Sequence, residues 1–445
     1  MNISCGNGDS AGERSDRVQF LVIEPQHFHA ALVQKYQHTD IDPEVYLFAE
    51  SDGKVSGYKQ LIAQYNSREK DPTRWKITEY YGKDFLGEAF GSSRGNVVVL
   101  AGDNREKITF LSKAAENGRD VFADKPLVID TEGYTKLQGL LSGNQERSAL
   151  LYDIMTERYD VKNQVIKALV NDTGFSGGFQ NDVAAPGIQF KSTHHFIKEV
   201  SGNPLIRPAM FYNTKQQGEG LVDVTTHYID LVQWMLSSER VIDIEQDIVL
   251  KDAQRWGTRL SKEEFTRSTG LDMYPSTLLD DVGGDESLTV FSNGKLDYVF
   301  KGVPVSIAVE WAVESLDGRG DQFYASFLTK AFKIEVKPDQ SGKMAVFLTS
   351  NSADEGFGDK LKKALASFTD LPGLGFETQD GRYKILIPDT LYLSHEDHFA
   401  KVLQQFLTYR REGALPEWER SFILAKYYLT TKALAEAKMV AQEDI

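Results

Sequence analysis

The chain has 445 residues, 41% hydrophobic, 11% aromatic and 26% charged, a composition that can bury a large core. Lys plus Arg number 50 against 65 Asp plus Glu, so the formal charge is −15. That sign repels a phosphate backbone and excludes broad nucleic-acid binding or a polybasic membrane patch. The single cysteine, Cys5, excludes intrachain disulfides, cysteine-rich zinc sites and iron–sulfur clusters. No apolar run reaches the roughly 18 residues of a membrane span.

In chain order, residues 1–17 read as a flexible polar tail. Within it Ile3-Ser4-Cys5-Gly6 resembles the end of a bacterial lipoprotein signal. On that reading Cys5 carries lipid and the protein belongs to the periplasm or envelope; otherwise the tail is incidental and the protein cytoplasmic. From Val18 strand and helix signals alternate. Strands are expected at 18–23, 45–48, 75–80, 96–101, 120–123 and 149–152, and helices at 28–37, 56–66, 104–117 and 131–142. Near-continuous apolar runs such as Val97-Val98-Val99-Leu100 fit strands buried on both faces. The series predicts a doubly wound α/β domain over 18–155.

The pattern then changes. A helix is expected at 157–170 and irregular chain at 171–204. Strands are expected at 209–212, 288–291, 297–300, 306–309 and 332–336, with Ser292-Asn293-Gly294-Lys295 read as a hairpin turn. Two helices, near 396–412 and 417–437, are separated by Gly413 and Pro416. Residues 156–445 are thus expected to form an α+β domain with a large, mostly antiparallel sheet, which also joins copies of the chain.

The loop after the first strand, Glu24-Pro25-Gln26-His27-Phe28-His29-Ala30, has none of the glycines of a dinucleotide fingerprint. Taken alone it argues against a nucleotide. Glu50, at the end of the second strand, argues for one: it stands near the spacing of the acid that binds ribose hydroxyls, and its charge favours NAD over NADP. Asp223 and His227 are four residues apart and Asp230 seven, so one helix face would carry all three as a carboxylate–imidazole pair with a further acceptor. His395 and His398 are three apart on a helix, but no third ligand accompanies them and no metal site is expected.

Asn96–Asn104, and Gly118–Pro126 ending in Asp124-Lys125-Pro126, resemble the Gfo/Idh/MocA oxidoreductases, the glucose–fructose oxidoreductase and inositol dehydrogenase family. Gly220–Asp230 resembles that family's G-x-L-x-D-x-G-x-H-x-x-D helix, with Thr225 where glycine is usual. Lys215–Gly220 and His395–Phe399 are similar to a branch with a distinct C-terminal region, and the histidine-containing first loop resembles that branch's version. The resemblance implies a Rossmann domain binding NAD through Gln26, His27, Phe28, His29, Glu50, Gly102, Asn104, Asp124, Lys125 and Pro126. It implies catalysis by Lys125, Asp223 and His227, and substrate contacts from Arg158, His194, His195, Tyr212, Lys215, Gln217 and Asp230. Trp75, Trp256 and Tyr212 are candidates either for stacking on sugar rings or for buried core. The activity implied is oxidation of a ring hydroxyl of a sugar or glycoside, at C3 in one version. An NAD-dependent glycosidase working by oxidation, elimination and reduction, and a non-catalytic scaffold, are the alternatives.

Overall fold

The computed structural model describes residues 17–142, 149–181, 185–200, 203–315, 320–353 and 355–441; Cys5 and the polar tail lie outside them. A short strand without polar residues must bury both faces, and β1 (Phe20–Ile23) and β4 (Val97–Leu100) do so at every position. With β2 (Glu44–Ala49), β3 (Lys76–Tyr81), β5 (Asp120–Asp124) and β6 (Leu151–Ile154) they form a parallel sheet of order β3-β2-β1-β4-β5-β6. The order reverses between β1 and β4. At such a reversal, ligands of open α/β sheets bind in the crevice outside the carboxyl ends of the strands. Helices α1 (His29–Leu32), α2 (Ser56–Ser67), α3 (Phe85–Gly91), α4 (Lys107–Glu116) and α5 (Thr131–Ser142) connect the strands. The first is shorter than the stretch 28–37 predicts.

The second sheet has ten strands. Its centre is Ile188–Ile197, flanked by Gln322–Leu328 on one side and Val303–Glu314 on the other, with Leu288–Phe300 and Ile248–Leu260 beyond. Most pairs are antiparallel; Val303–Glu314 runs parallel to Ile188–Ile197. Three local expectations fail. The stretch 171–204 contains that central strand rather than irregular chain throughout. Residues Ala209–Tyr212 form a 3-10 turn, because four apolar residues alone do not separate a strand from a buried turn. The Asn293-Gly294 pair makes no hairpin, and Leu288–Phe300 runs straight through it. Asn293 is fully buried there: its amide donates to Trp256 O (3.1 Å) and Thr258 Oγ1 (2.8 Å) and accepts from Trp311 N (2.5 Å). Gly294 is required by packing, since a Cβ would stand 2.6 Å from Leu221 Cγ.

The last two helices tie the halves together. Phe399, Val402 and Phe406 of His395–Glu412 enter the core of the first sheet, with Phe406 stacked on Phe122 at 4.9 Å. Helix Glu417–Glu436 carries Glu419 and Lys426 into a buried ion network. Arg158 forks onto Asp230 through two bonds of 2.7 Å and onto Glu419 at 2.9 Å. Lys426 bridges Asp230 (3.0 Å) and Asp153 (2.7 Å). Each charge has an opposite partner, which a buried ion requires. Among the described residues no helix is long and apolar enough to cross a membrane.

Candidate active site

The site grows from the loops at the carboxyl ends of β1, β4 and β5. Directly after β1, Glu24 takes a φ of +43°, the left-handed region that normally favours glycine. Its buried carboxylate accepts from Glu50 N (2.6 Å) and Gln26 Nε2 (2.7 Å) and lies 3.6 Å from Lys54 Nζ. Gly102, after β4, is required by packing between the two loops, since a Cβ would stand 2.4 Å from Glu24 O. Glu50 ends β2 as its position implies, but it is paired with Lys54, and that hydrogen bond holds its carboxyl below the usual range. A cation thus accompanies the acid expected to read ribose, which the sequence reading overlooked.

At the end of β5, Asp124 is buried. Its Oδ2 lies 2.9 Å from His29 Nδ1 and 3.2 Å from His27 Nδ1, and its Oδ1 accepts from Lys125 N at 2.9 Å. Burial pushes this carboxyl up, but His29 and His27 outweigh it and hold Asp124 well below the usual range. Burial also pulls His29 down to about 4, against the raising effect of Asp124. The buried Lys107 of α4 joins the loops, donating to Asn104 Oδ1 (2.7 Å), Asp124 O (2.8 Å) and Pro126 O (2.8 Å). Desolvation lowers it to about 8. Nothing in the spacing marks Lys107; it reads as one more lysine on an amphipathic helix.

The second half of the molecule closes the crevice. Asn104 Nδ2 donates to Gln217 O (2.8 Å) and Arg105 N to Gln216 O (3.0 Å), so the β4 loop clasps the turn Thr214–Gln217. Lys125 Nζ reaches Asp223 Oδ1 at 2.6 Å. The expected carboxylate–imidazole pair is absent: helix Thr225–Ser237 begins after Asp223, which therefore lies in the preceding turn and takes Lys125 rather than His227. His227 Nδ1 is buried without a hydrogen-bond partner. Burial first, and Lys125 second, hold this imidazole well below its ordinary range, so it is neutral near pH 7.

Gln26, His27, His29, Gly102, Asn104, Asp124, Lys125, Gln217, Asp223 and His227 line one cavity of ≈ 240 Å³. Pro208, Met210, Phe211, Gly218, Val224 and Trp311, which the sequence reading did not select as site residues, complete its wall. Gln217 Nε2 is buried there without a partner, a donor available to a ligand. Phe28, Glu50 and Pro126 do not line the cavity; Phe28 is exposed. The other expected substrate contacts lie elsewhere. Arg158 and Asp230 belong to the buried ion network, where Arg158 and then Lys426 hold the Asp230 carboxyl far below its usual range against its burial. Tyr212 is core, its hydroxyl donating to Ser268 Oγ at 2.7 Å. Lys215 is exposed and pairs with Asp281 at 2.8 Å. His194 stacks on Trp311 (centroids 4.8 Å apart), and His195 is buried beside Asp321 at 3.3 Å. Trp75 and Trp256 are both core.

Residues 166–438 match the family model described as "Putative oxidoreductase C terminal domain". A crystal structure of a "putative oxidoreductase" from Parabacteroides merdae is 34% identical, with a TM-score of 0.90 over 95% of this chain and 98% of that one. Two more distant structures share the fold. A mutant 3-ketoreductase from Actinomadura kijaniata, in complex with TDP-benzene and NADP, is 14% identical, with a TM-score of 0.57 over 95% of this chain and 99% of that one. GenD2 from gentamicin A biosynthesis, in complex with NAD, is 13% identical, with a TM-score of 0.57 over 97% and 98%. No curated protein matches the chain.

Proposed function

The chain belongs to the oxidoreductase family with this C-terminal domain, within the Gfo/Idh/MocA type, and on that premise we propose that it oxidises a ring hydroxyl of a sugar or glycoside with NAD. The observation that carries the reading is the convergence of Lys125, Asp223 and His227 on one cavity at the switch point between β1 and β4. The residues fit a nicotinamide dinucleotide there. Gln26, His27, Asn104 and Lys125 line one space, and the buried Gln217 Nε2 is a donor there without a partner. Two structures that share this fold are complexes with NADP and with NAD.

When bound, the dinucleotide supplies the acceptor for the hydride leaving the ring carbon. His227, neutral with a free Nδ1, takes the hydroxyl proton. Lys125 donates a hydrogen bond to the reacting oxygen, and Asp223 orients its ammonium. Gln217 donates to a second hydroxyl, and Trp311 and Phe211 offer apolar faces to a sugar ring. C3 is the ring position proposed.

A polar wall of this kind favours a polyhydroxylated ring, because a buried polar group left unmatched costs about 1–3 kcal/mol. A screen of glycosides, free sugars and inositols with NAD is expected to show reduction of the cofactor with at least one. The matching ring-deoxy analogue should react far more slowly. Aryl glycosides cleaved without net reduction would replace this reading with the redox glycosidase. Activity on simple aliphatic alcohols alone would remove the carbohydrate.

A further inference from the structure

Two histidines of the β1 loop and one aspartate 95 residues further on converge where neither local sequence shows a metal motif. His27 Nδ1, His29 Nδ1 and Asp124 Oδ2 all lie within 4.8 Å of one another. We propose that His27, His29 and Asp124 form a binding site for a single divalent transition-metal ion of the zinc type, open on the cavity side.

The chemistry of the donor set comes first. Two imidazole nitrogens with one carboxylate oxygen is a borderline-soft set; it suits Zn²⁺ and its neighbours and not Mg²⁺ or Ca²⁺, which require oxygen ligands. Three protein ligands leave a coordination position for water or a substrate oxygen.

Zinc–nitrogen and zinc–oxygen bonds of about 2.0–2.2 Å place tetrahedral ligand atoms somewhat more than 3 Å apart. The two edges meeting at Asp124 Oδ2 measure 2.9 Å and 3.2 Å. These edges are a few tenths of an ångström shorter than an ion would hold them, so the side chains need to open only slightly. A proton shared between groups would explain the shorter edge, to His29, which is a hydrogen bond. It does not explain the longer one. His27 Nδ1 lies close to Oδ2 and is buried, yet has no hydrogen bond. This buried nitrogen is left for a further partner, which an ion held at the cluster would be.

Supporting contacts hold the ligands in place. Asp124 Oδ1 accepts from Lys125 N at 2.9 Å, which fixes the carboxylate and leaves Oδ2 for the ion. The His27 and His29 rings meet edge to face with centroids 4.1 Å apart, and Phe399 backs His29 at 4.7 Å. Two cations stand nearby: Lys125, which is paired with Asp223 at 2.6 Å, and Lys107, which donates to Asp124 O at 2.8 Å. His395, on the first turn of its helix, stands next outward, its ring 5.9 Å from that of His29. The histidine pair at 395 and 398 is thus not a site by itself; His395 faces this one.

The test uses the full chain, stripped with a chelator, returned to Zn²⁺ and dialysed, with metal counted per chain by mass spectrometry. About one equivalent of zinc is expected, with Mg²⁺ not retained under the same treatment. His27→Ala, whose ring is partly exposed, and Asp124→Asn should each lower zinc affinity at least tenfold while circular dichroism shows the fold intact. Stripped wild-type protein that retains no zinc would overturn the proposal. So would full retention by both variants. Should Asp124→Asn fail to fold, His27→Ala decides alone. Dinucleotide binding is measured separately on stripped and loaded protein, so a missing metal and a missing cofactor are read independently.

Discussion

At the residue scale the account rests on Lys125 and His227. Both face the cavity, and neither belongs to the ion network that holds the fold. Lys125→Ala and His227→Ala should each lower kcat by about 10²-fold or more, the scale of a positioned acid–base group. The thermal midpoint should move little. If His227→Ala mainly unfolds the protein, its imidazole is core and not catalytic. The His227 imidazole is already neutral through the physiological range, so its own deprotonation should leave no inflection in kcat between about pH 6 and 8. An inflection there that vanishes in His227→Gln would contradict the assignment. The motif resemblance led to expecting Lys125 and His227 at one site, and both line the same cavity; their catalytic roles are the proposal. Gln217 was expected as a substrate contact, whereas Trp311 was not, because only the packing of the second sheet against the first domain's loops brings it to the cavity. His27 and His29 were selected as cofactor residues, but their convergence with Asp124 is set by the sheet order, which no spacing encodes.

At the scale of elements, two contacts decide how the loops sit. Gly102→Ala would place a methyl 2.4 Å from Glu24 O, a backbone atom that cannot swing aside. Overpacking of this kind costs about 1–3 kcal/mol. Denaturant titration should show that loss, with weaker dinucleotide binding because the β1 loop must retreat. Unchanged stability and affinity would mean that the close approach is not needed. The second contact is Asp230 with Arg158 and Lys426. Asp230→Asn should cost about 3–5 kcal/mol near pH 7, the range for breaking a buried pair. The folded carboxyl is held far below its unfolded value of about 3.9, so its contribution is complete above that pH and fades as pH falls through and below it. Burial raises the neighbouring Glu419 to about 7, so it titrates between pH 7 and 5. The Asp230 contribution is read below that range, where the gap between wild type and Asp230→Asn should narrow below about pH 4. A gap that widens with acid would refute the sign. The sequence presented Asp230 as the end of a polar helical stripe. Burial reversed that reading, since the groups able to neutralise it, Arg158 and Lys426, come from elements far along the chain.

For the whole molecule, strand-and-helix alternation in the first third was legible because parallel strands buried on both faces leave near-continuous apolar runs. The second sheet was legible as a sheet but not in detail. Its central strand lay hidden among Gly- and Asn-containing residues, and Asn293-Gly294 carried the local signature of a turn while serving a buried cross-strand amide. The polar face of this sheet, with Gln189, Lys191, Lys295 and Asp297, borders a broad open groove. Association of copies through it remains our proposal, and sedimentation velocity of wild type against a Lys191→Glu, Lys295→Glu pair would test it. We propose that the crevice beyond β1 and β4 holds a nicotinamide dinucleotide even though the β1 loop lacks glycine. The direct measurement is calorimetric titration of the purified full chain with NAD and with NADP, after denaturing a sample to identify any nucleotide already bound. We expect one site per chain that binds NAD more tightly than NADP. Clean apo protein that takes up neither would contradict the claim and leave a scaffold in its place.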